Sequence, residues 1–339
     1  MDQRQIITLC GMEESLCRLI ELYGMRHPSE REIADWFSGV EFESLRPEVS
    51  CMAAALSAAR DYAGVPQELI PRLRGISRYV HTLNSGMTAG LCALGKRFQE
   101  AGIPAVLLGS TAVHLGYPEP PRRHIWQMQI TVPAEDFSQA VELAERAGFL
   151  IELTPFGADA RRGNTQRVFI RRDADPAGEA AALTVGGVSF LLPGSAELLV
   201  SLGQAVFQLL SGKAPGAKLI PWIMDLHCVI GADPDWNGAA AAAAERGTAS
   251  QVRLVLELYN SLIPNTLTGE ILDLFGTAEH TAQLAQLLPK YRSLKPGSAK
   301  LKRLWLSTRI RNVDSPSAVP GLFFRALCRA GVRKLTPGN

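Results

Sequence analysis

The chain has 339 residues, room for two or three compact units. Apolar residues make up 47% and charged residues 20%, the balance of an ordinary globular protein with ample core. No apolar run approaches the ~20 residues needed to cross a bilayer, and the start MDQRQIITLCGMEESLC lacks the basic-then-apolar pattern of a secretory signal. A cytoplasmic protein is therefore expected. Its six cysteines, Cys10, Cys17, Cys51, Cys92, Cys228 and Cys328, are widely spread and form no C-x-x-C pair, which predicts reduced thiols and no structural zinc. The net charge of +2 hides an asymmetry: Lys290–Asn339 holds twelve Lys or Arg and one acid, Asp314, so residues 1–289 are acidic. A basic tail on an acidic body predicts contact with an anionic partner or with the body itself.

In chain order, residues 3–23 place Ile6, Leu9, Cys10, Leu16, Cys17 and Ile20 at helical spacing. A second helix starts after Pro28, where Ser29 and Glu32 have the spacing of a capping box. Alanine-rich Glu48–Ala63 and the stretch Pro71–Ala101 extend the helical region, and no strand is predicted before residue 103. Ile103–Leu108 then reads as a short strand that stops at Gly109, and Ser110–Leu115 as a helix. A proline-rich loop spans Tyr117–Arg123. Ile125–Val132 is a predicted strand and Asp136–Ala147 an amphipathic helix. Val168–Arg171 and Thr184–Leu192 are further strands, the latter with a Gly186-Gly187 turn in or beside it.

Beyond Pro193 the pattern is helical again. Helices are predicted at Ala196–Leu210 (with Ser195 as cap), Leu219–Ile230, Trp236–Arg246, Ala249–Ser261, Glu270–Phe275 and Ala278–Leu288. Gly321–Leu335 is a basic amphipathic segment suited to docking on a partner, on a membrane surface or on the acidic body. The predicted fold class is α+β: a small mixed sheet with helices, flanked by helical regions at both ends. The predicted division is a helical region at 1–100, an α/β core at 101–192, a helical domain at 193–289 and a basic segment at 290–339.

The run VLLGSTAVHLGYPEPPRRHIWQMQITVPAEDFSQAVELAERAGF resembles the uncharacterised nucleotidyltransferase family of the DNA polymerase β-like superfamily. That pattern is an apolar strand ending in glycine, a helix and loop, an arginine, then a strand carrying Asp-x-Asp. Here Gly109 matches the glycine, Arg123 the arginine, and Val132-Pro133 the strand end. The downstream helices around WIMDLHCVI and DPDW extend the likeness over about residues 50–265. Three departures stand out. Leu108 replaces the lysine before the glycine. Gln127 and Gln129 replace the first two carboxylates. The strand expected to carry a third acid, Val168–Arg171, offers Phe169.

Asp-x-Asp works because alternate strand residues point to one face, so both carboxylates reach the same Mg²⁺. Two glutamines keep the geometry and lose the charge. The resemblance therefore implies a catalytically impaired pseudoenzyme that binds a nucleotide, a peptide or a protein, with Gly109, Ser110 and Arg123 as nucleotide-binding candidates and no metal ligands. Arg122 and His124 lie nearby. The alternatives are an active enzyme using Mg²⁺ and a nucleoside triphosphate, with acids relocated among Glu119, Glu135, Asp136, Asp173 and Asp175, or a scaffold for a neighbouring peptide-modifying enzyme. A protein partner is expected through the basic C-terminal segment, and nucleic acid is not. Asp225 and His227, two apart on one helix, are read as structural, Asp225 tying down a neighbouring helix or loop. His114 is read as a packed histidine. Arg161, Arg162, Arg167, Arg171 and Arg172 form a second basic group, either solvated or anion-binding.

Overall fold

Ser29 opens a helix as its spacing with Glu32 requires. The Ser29 hydroxyl accepts from the Glu32 amide, and the Glu32 carboxylate accepts from the Ser29 amide at 2.9 Å. In the computed structural model this helix, α2 (Glu30–Ser38), follows α1 (Glu14–Gly24) and precedes α3 (Pro47–Ala59) and the 31-residue α4 (Ile70–Glu100). The structure describes residues 11–25, 27–118, 122–173, 180–212, 216–292 and 310. The predicted turns of helix before residue 11 and the basic segment Gly321–Leu335 lie outside them.

The chain divides into two compact units. One comprises Arg18–Leu202 and Ile220–Pro234; the other comprises Met1–Cys17, Gly203–Leu219 and Asp235–Asn339. The first holds the sheet. Its elements after α4 are β1 (Val106–Leu107), α5 (Gly109–Gly116), β2 (Met128–Pro133), α6 (Phe137–Arg146), β3 (Leu150–Thr154), β4 (Gly157–Arg162), β5 (Gln166–Asp173), β6 (Ala181–Val185) and β7 (Val188–Leu192). The strands form one mixed seven-stranded sheet in the order β3-β4-β5-β2-β1-β7-β6. The β2–β5 and β1–β7 pairs are parallel and the rest antiparallel. The fold class is α+β, with this mixed sheet among helices.

The period of two along the strands separates the faces. Met128, Ile130, Val132, Ala158, Ala160, Val168 and Ile170 are fully buried. α4 and α6 pack over that face. Close approach of α4 demands glycine at Gly95, where a Cβ would sit 2.3 Å from the Phe190 ring. The opposite face carries Gln129, Thr131, Asp159 and Phe169 in neighbouring register positions.

Three readings from sequence change here. Thr184–Leu192 is a hairpin, β6 and β7, turning at Gly186-Gly187 with both glycines at positive φ. The hairpin β3–β4 was not anticipated. Its second strand, GADARR, contains no β-branched or aromatic residue, so the usual strand signal is missing. The predicted strand at Ile103–Leu108 shrinks to two paired residues, because Pro104 has no amide to offer a ladder.

The sheet unit also contains α8 (Ile220–Gly231), which follows a 3₁₀ turn. α7 (Ser195–Ser211) runs from one unit into the other. The helical unit continues with α9 (Trp236–Glu245), α10 (Ala249–Leu262), α11 (Gly269–Leu274) and α12 (Ala278–Arg292). Buried Arg253 on α10 organises it, donating to Glu257 at 3.0 Å, to the Leu272 carbonyl at 3.0 Å and to Asp273 at 3.1 Å. No described helix is long and apolar enough to cross a membrane.

Candidate functional site

The glycine turn follows directly from β1. Leu108 is extended and Gly109 adopts φ +46, a conformation that favours glycine, and it opens α5. Nothing lies within 4 Å of where a Gly109 Cβ would stand, so the backbone here faces open space. The turn is fastened to β2 on both sides. The Leu108 amide donates to the Gln129 carbonyl at 3.0 Å, and the Gln129 amide donates to the Thr111 hydroxyl at 2.7 Å. Leu108 gives the helix no side-chain cap.

Ser110 and Arg123 converge on Asp225 of α8. The Ser110 hydroxyl donates to Asp225 Oδ2 at 2.7 Å, and Arg123 Nε donates to Oδ1 at 2.9 Å. A second guanidinium nitrogen, Nη2, pairs with Oδ2. Arg123 is 5% and Asp225 1% exposed, which makes this a buried, forked ion pair. The remaining Nη1 donates to the His124 carbonyl at 3.1 Å. Asp225 thus ties the arginine loop and the start of α5 to α8, and its partners lie more than 100 residues away in sequence. The segment is pinned from α4 as well. Asn84 donates to the Arg123 carbonyl at 2.8 Å and accepts from the Ile125 amide at 3.0 Å.

His114, on α5, is half-buried. Burial, reinforced by Arg123 and opposed by Asp225, lowers its pKa to about 4. His227 is also lowered by burial and meets the Tyr23 ring edge-on at 5.7 Å.

The two glutamines stand beside an acid that sequence reading missed. In strand register Gln129 opposes Phe169, and Phe169 opposes Asp159, so a row crosses β2, β5 and β4 on one face. Gln127 Nε2 donates to Asp159 Oδ1 at 2.9 Å. The same carboxylate accepts from Arg161 Nε at 2.9 Å and from Arg167 at 3.0 and 2.8 Å. Burial raises the Asp159 carboxyl, but the hydrogen bonds from Arg167 and Arg161 outweigh it and hold the pKa near about 2. Arg161 also reaches Glu152 on β3 at 3.4 Å. The one signal that could have found Asp159 is the alternation Ala158-Asp159-Ala160-Arg161, small residues inward and charged residues outward.

The acids considered as relocated ligands do not gather here among the described residues. Asp136 occupies the N-cap of α6 with helical backbone angles and makes no side-chain cap bond. Glu135 is exposed. Glu119, Asp175 and the Asp173 side chain lie outside the described residues. No group of three His, Cys, Asp or Glu able to hold a metal ion occurs among the described residues. Of the basic group, Arg161 and Arg167 share the Asp159 face. Arg172 lies over the Phe137 ring at 5.9 Å and Arg162 over Phe149 at 4.7 Å.

Residues 49–173 match the model of an uncharacterised nucleotidyltransferase family. Gly109, Ser110, Arg123, Gln127, Gln129 and Asp159 all fall inside this nucleotidyltransferase-like segment, whereas Asp225 falls outside it. The solution structure of the antibiotic-resistance factor ANT(2'')-Ia aligns with 51% of this chain and 91% of its own, at 15% identity and a TM-score of 0.32. No curated protein matches.

A nucleotidyltransferase fold implies Mg²⁺ beside a nucleoside triphosphate. The residues gathered here do not fit that ion. Gln127 and Gln129 carry no charge, and the neighbouring Asp159 is shared between two guanidinium groups.

Proposed function

We propose that this protein is a nucleotidyltransferase-like binding module in which metal-dependent transfer is impaired. The observation that carries this reading is the Gln127–Asp159 bond with Arg161 and Arg167 on the same carboxylate. Asp159 and Glu152 balance the charges of Arg161 and Arg167, so the cluster offers no net negative charge. At about 4 Å and an effective dielectric of about 20, each unit charge is worth about 4 kcal/mol against another. Replacing two carboxylates by amides, with no net negative charge beside them, therefore removes most of the attraction for a divalent ion. The open space at the Gly109 Cβ position, at the start of α5, supports retained binding of a nucleotide phosphate without a metal. The test is incubation with Mg²⁺-ATP and Mg²⁺-GTP, with and without a panel of hydroxyl and amine acceptors, followed by product analysis. Absence of transfer is expected, and rapid metal-dependent transfer would overturn the proposal.

A peptide- or protein-binding role has its own supporting observation. β3 is an edge strand; Leu150 and Leu153 on it are 80% and 69% exposed, and Phe156 in the turn that follows is 77% exposed. An exposed apolar edge is a template for strand addition. On this second reading, Leu153→Lys abolishes binding to a partner peptide and leaves nucleotide affinity unchanged; equal peptide binding by the variant refutes it.

A further inference from the structure

A cavity of about 210 Å³ lies within the sheet unit, beside the segment that joins Arg122 to Gln127. Neither Gln127 nor Gln129 contributes to its wall. We propose that it binds an uncharged planar aromatic molecule of one or two rings bearing an N–H or O–H donor.

The walls are aromatic and aliphatic. Tyr79, His124 and Trp126 supply rings; Pro47, Pro221, Val80, Ile220 and Met224 supply the rest of the apolar surface. His124 and Trp126 already pack edge to face at 4.1 Å, the geometry in which a third ring stacks well. Tyr79 and Trp126 stand 65% and 56% exposed. Large rings left in water at a cavity lined by apolar groups gain from a ligand that covers them. A cavity of about 150 Å³ suffices for benzene in other proteins, so this one accommodates a larger ring system.

The site is built rather than incidental. The wall segment is bolted to α4 by both amide ends of Asn84 and to α8 by the buried Arg123–Asp225 pair. A ligand therefore meets a preformed surface and little ordering entropy opposes its binding.

The polar groups set the charge. Arg123 lines the cavity, but its charge is matched by Asp225. Burial and the nearby Arg123 depress the His124 pKa, which favours the neutral imidazole. Glu48 is the acid in the wall, and it repels an anionic ligand while offering an acceptor to an N–H or O–H.

Ligand-observed NMR and calorimetry on the full chain, with indole, p-cresol, cyclohexanol and tetramethylammonium as probes, test this. Indole and p-cresol are expected to bind saturably below millimolar concentration, and cyclohexanol at least tenfold more weakly. Trp126→Ala removes an exposed wall and Val80→Trp fills the space; each is expected to weaken indole at least tenfold. Thermal melts accompany both variants, and Trp126→Ala, at an exposed position, keeps the test decisive if the filled variant does not fold. The proposal fails if indole shows no saturation, if Trp126→Ala leaves its affinity unchanged, or if cyclohexanol or tetramethylammonium binds as tightly. No arm contains metal or nucleotide, so this result stands apart from the reading of Gln127 and Gln129.

Discussion

Replacing Asp225 with alanine removes the acceptor that holds both Arg123 and Ser110. Arg123 is 5% exposed, so its guanidinium would be left charged and unpaired in the interior. Breaking a buried pair in this one-sided way destabilises by about 3–5 kcal/mol. The sheet unit, Arg18–Leu202 with Ile220–Pro234, contains 200 residues. In that size range 1 kcal/mol shifts Tm by about 2–4 °C, so a fall on the order of 10 °C is expected. The assay is thermal and urea unfolding followed by circular dichroism, on Asp225→Ala, Arg123→Met and the double variant Arg123→Met/Asp225→Leu. The double variant is expected to recover much of the loss, because no unpaired charge remains. A fall of under about 1 kcal/mol in Asp225→Ala, or losses that simply add in the double variant, would refute the view that this pair bolts α5 and the arginine loop to α8.

Other consequences are open to measurement. His114 has its folded pKa lowered to about 4 from the ordinary value near 6.5, so the native state binds fewer protons than the unfolded state between those values. Stability therefore falls as pH drops from about 6.5 to 4, and His114→Gln flattens that part of the profile measured by urea titration. Asp159 acts lower down: its stabilising effect is complete above about pH 4 and lost as pH falls towards 2, a limb that Asp159→Asn removes from acid-unfolding curves. Gly95→Ala drives a methyl into the Phe190 ring and is expected to cost about 1–3 kcal/mol by denaturant unfolding; a neutral result would show that α4 can slide from β7. Ser29→Ala loses the capping box at α2 and costs about 1 kcal/mol, read the same way.

What could be read from sequence tracks local physics. The capping box at Ser29, the glycine that ends β1, and the helices after Pro193 follow from spacing and propensity within a few residues, and they appear where expected. Asp225 was legible as structural because it is an acid in an apolar helix. Its partners were not, since Arg123 lies 102 residues away and only folding brings them together. For the same reason the buried pairing of Arg123 could not be read from its motif position. Gln127 and Gln129 stand out against the family pattern. Asp159 does not, because GADARR lacks strand propensity and the register that sets Asp159 beside Phe169 depends on β4 pairing with β5.

β1 contributes only Val106 and Leu107, yet among the described residues it is the sole strand joining β2 to β7. Its link to β7 is one registered pair, Val106 with Leu191, beside a 2.9 Å bond from the Leu191 amide to the Ala105 carbonyl. The ladder thus has a seam. Hydrogen exchange should find these few amides opening well before those of the β2–β5 pair, so the β6–β7 hairpin can part from the larger half of the sheet while the strands bearing Gln129 and Asp159 stay zipped.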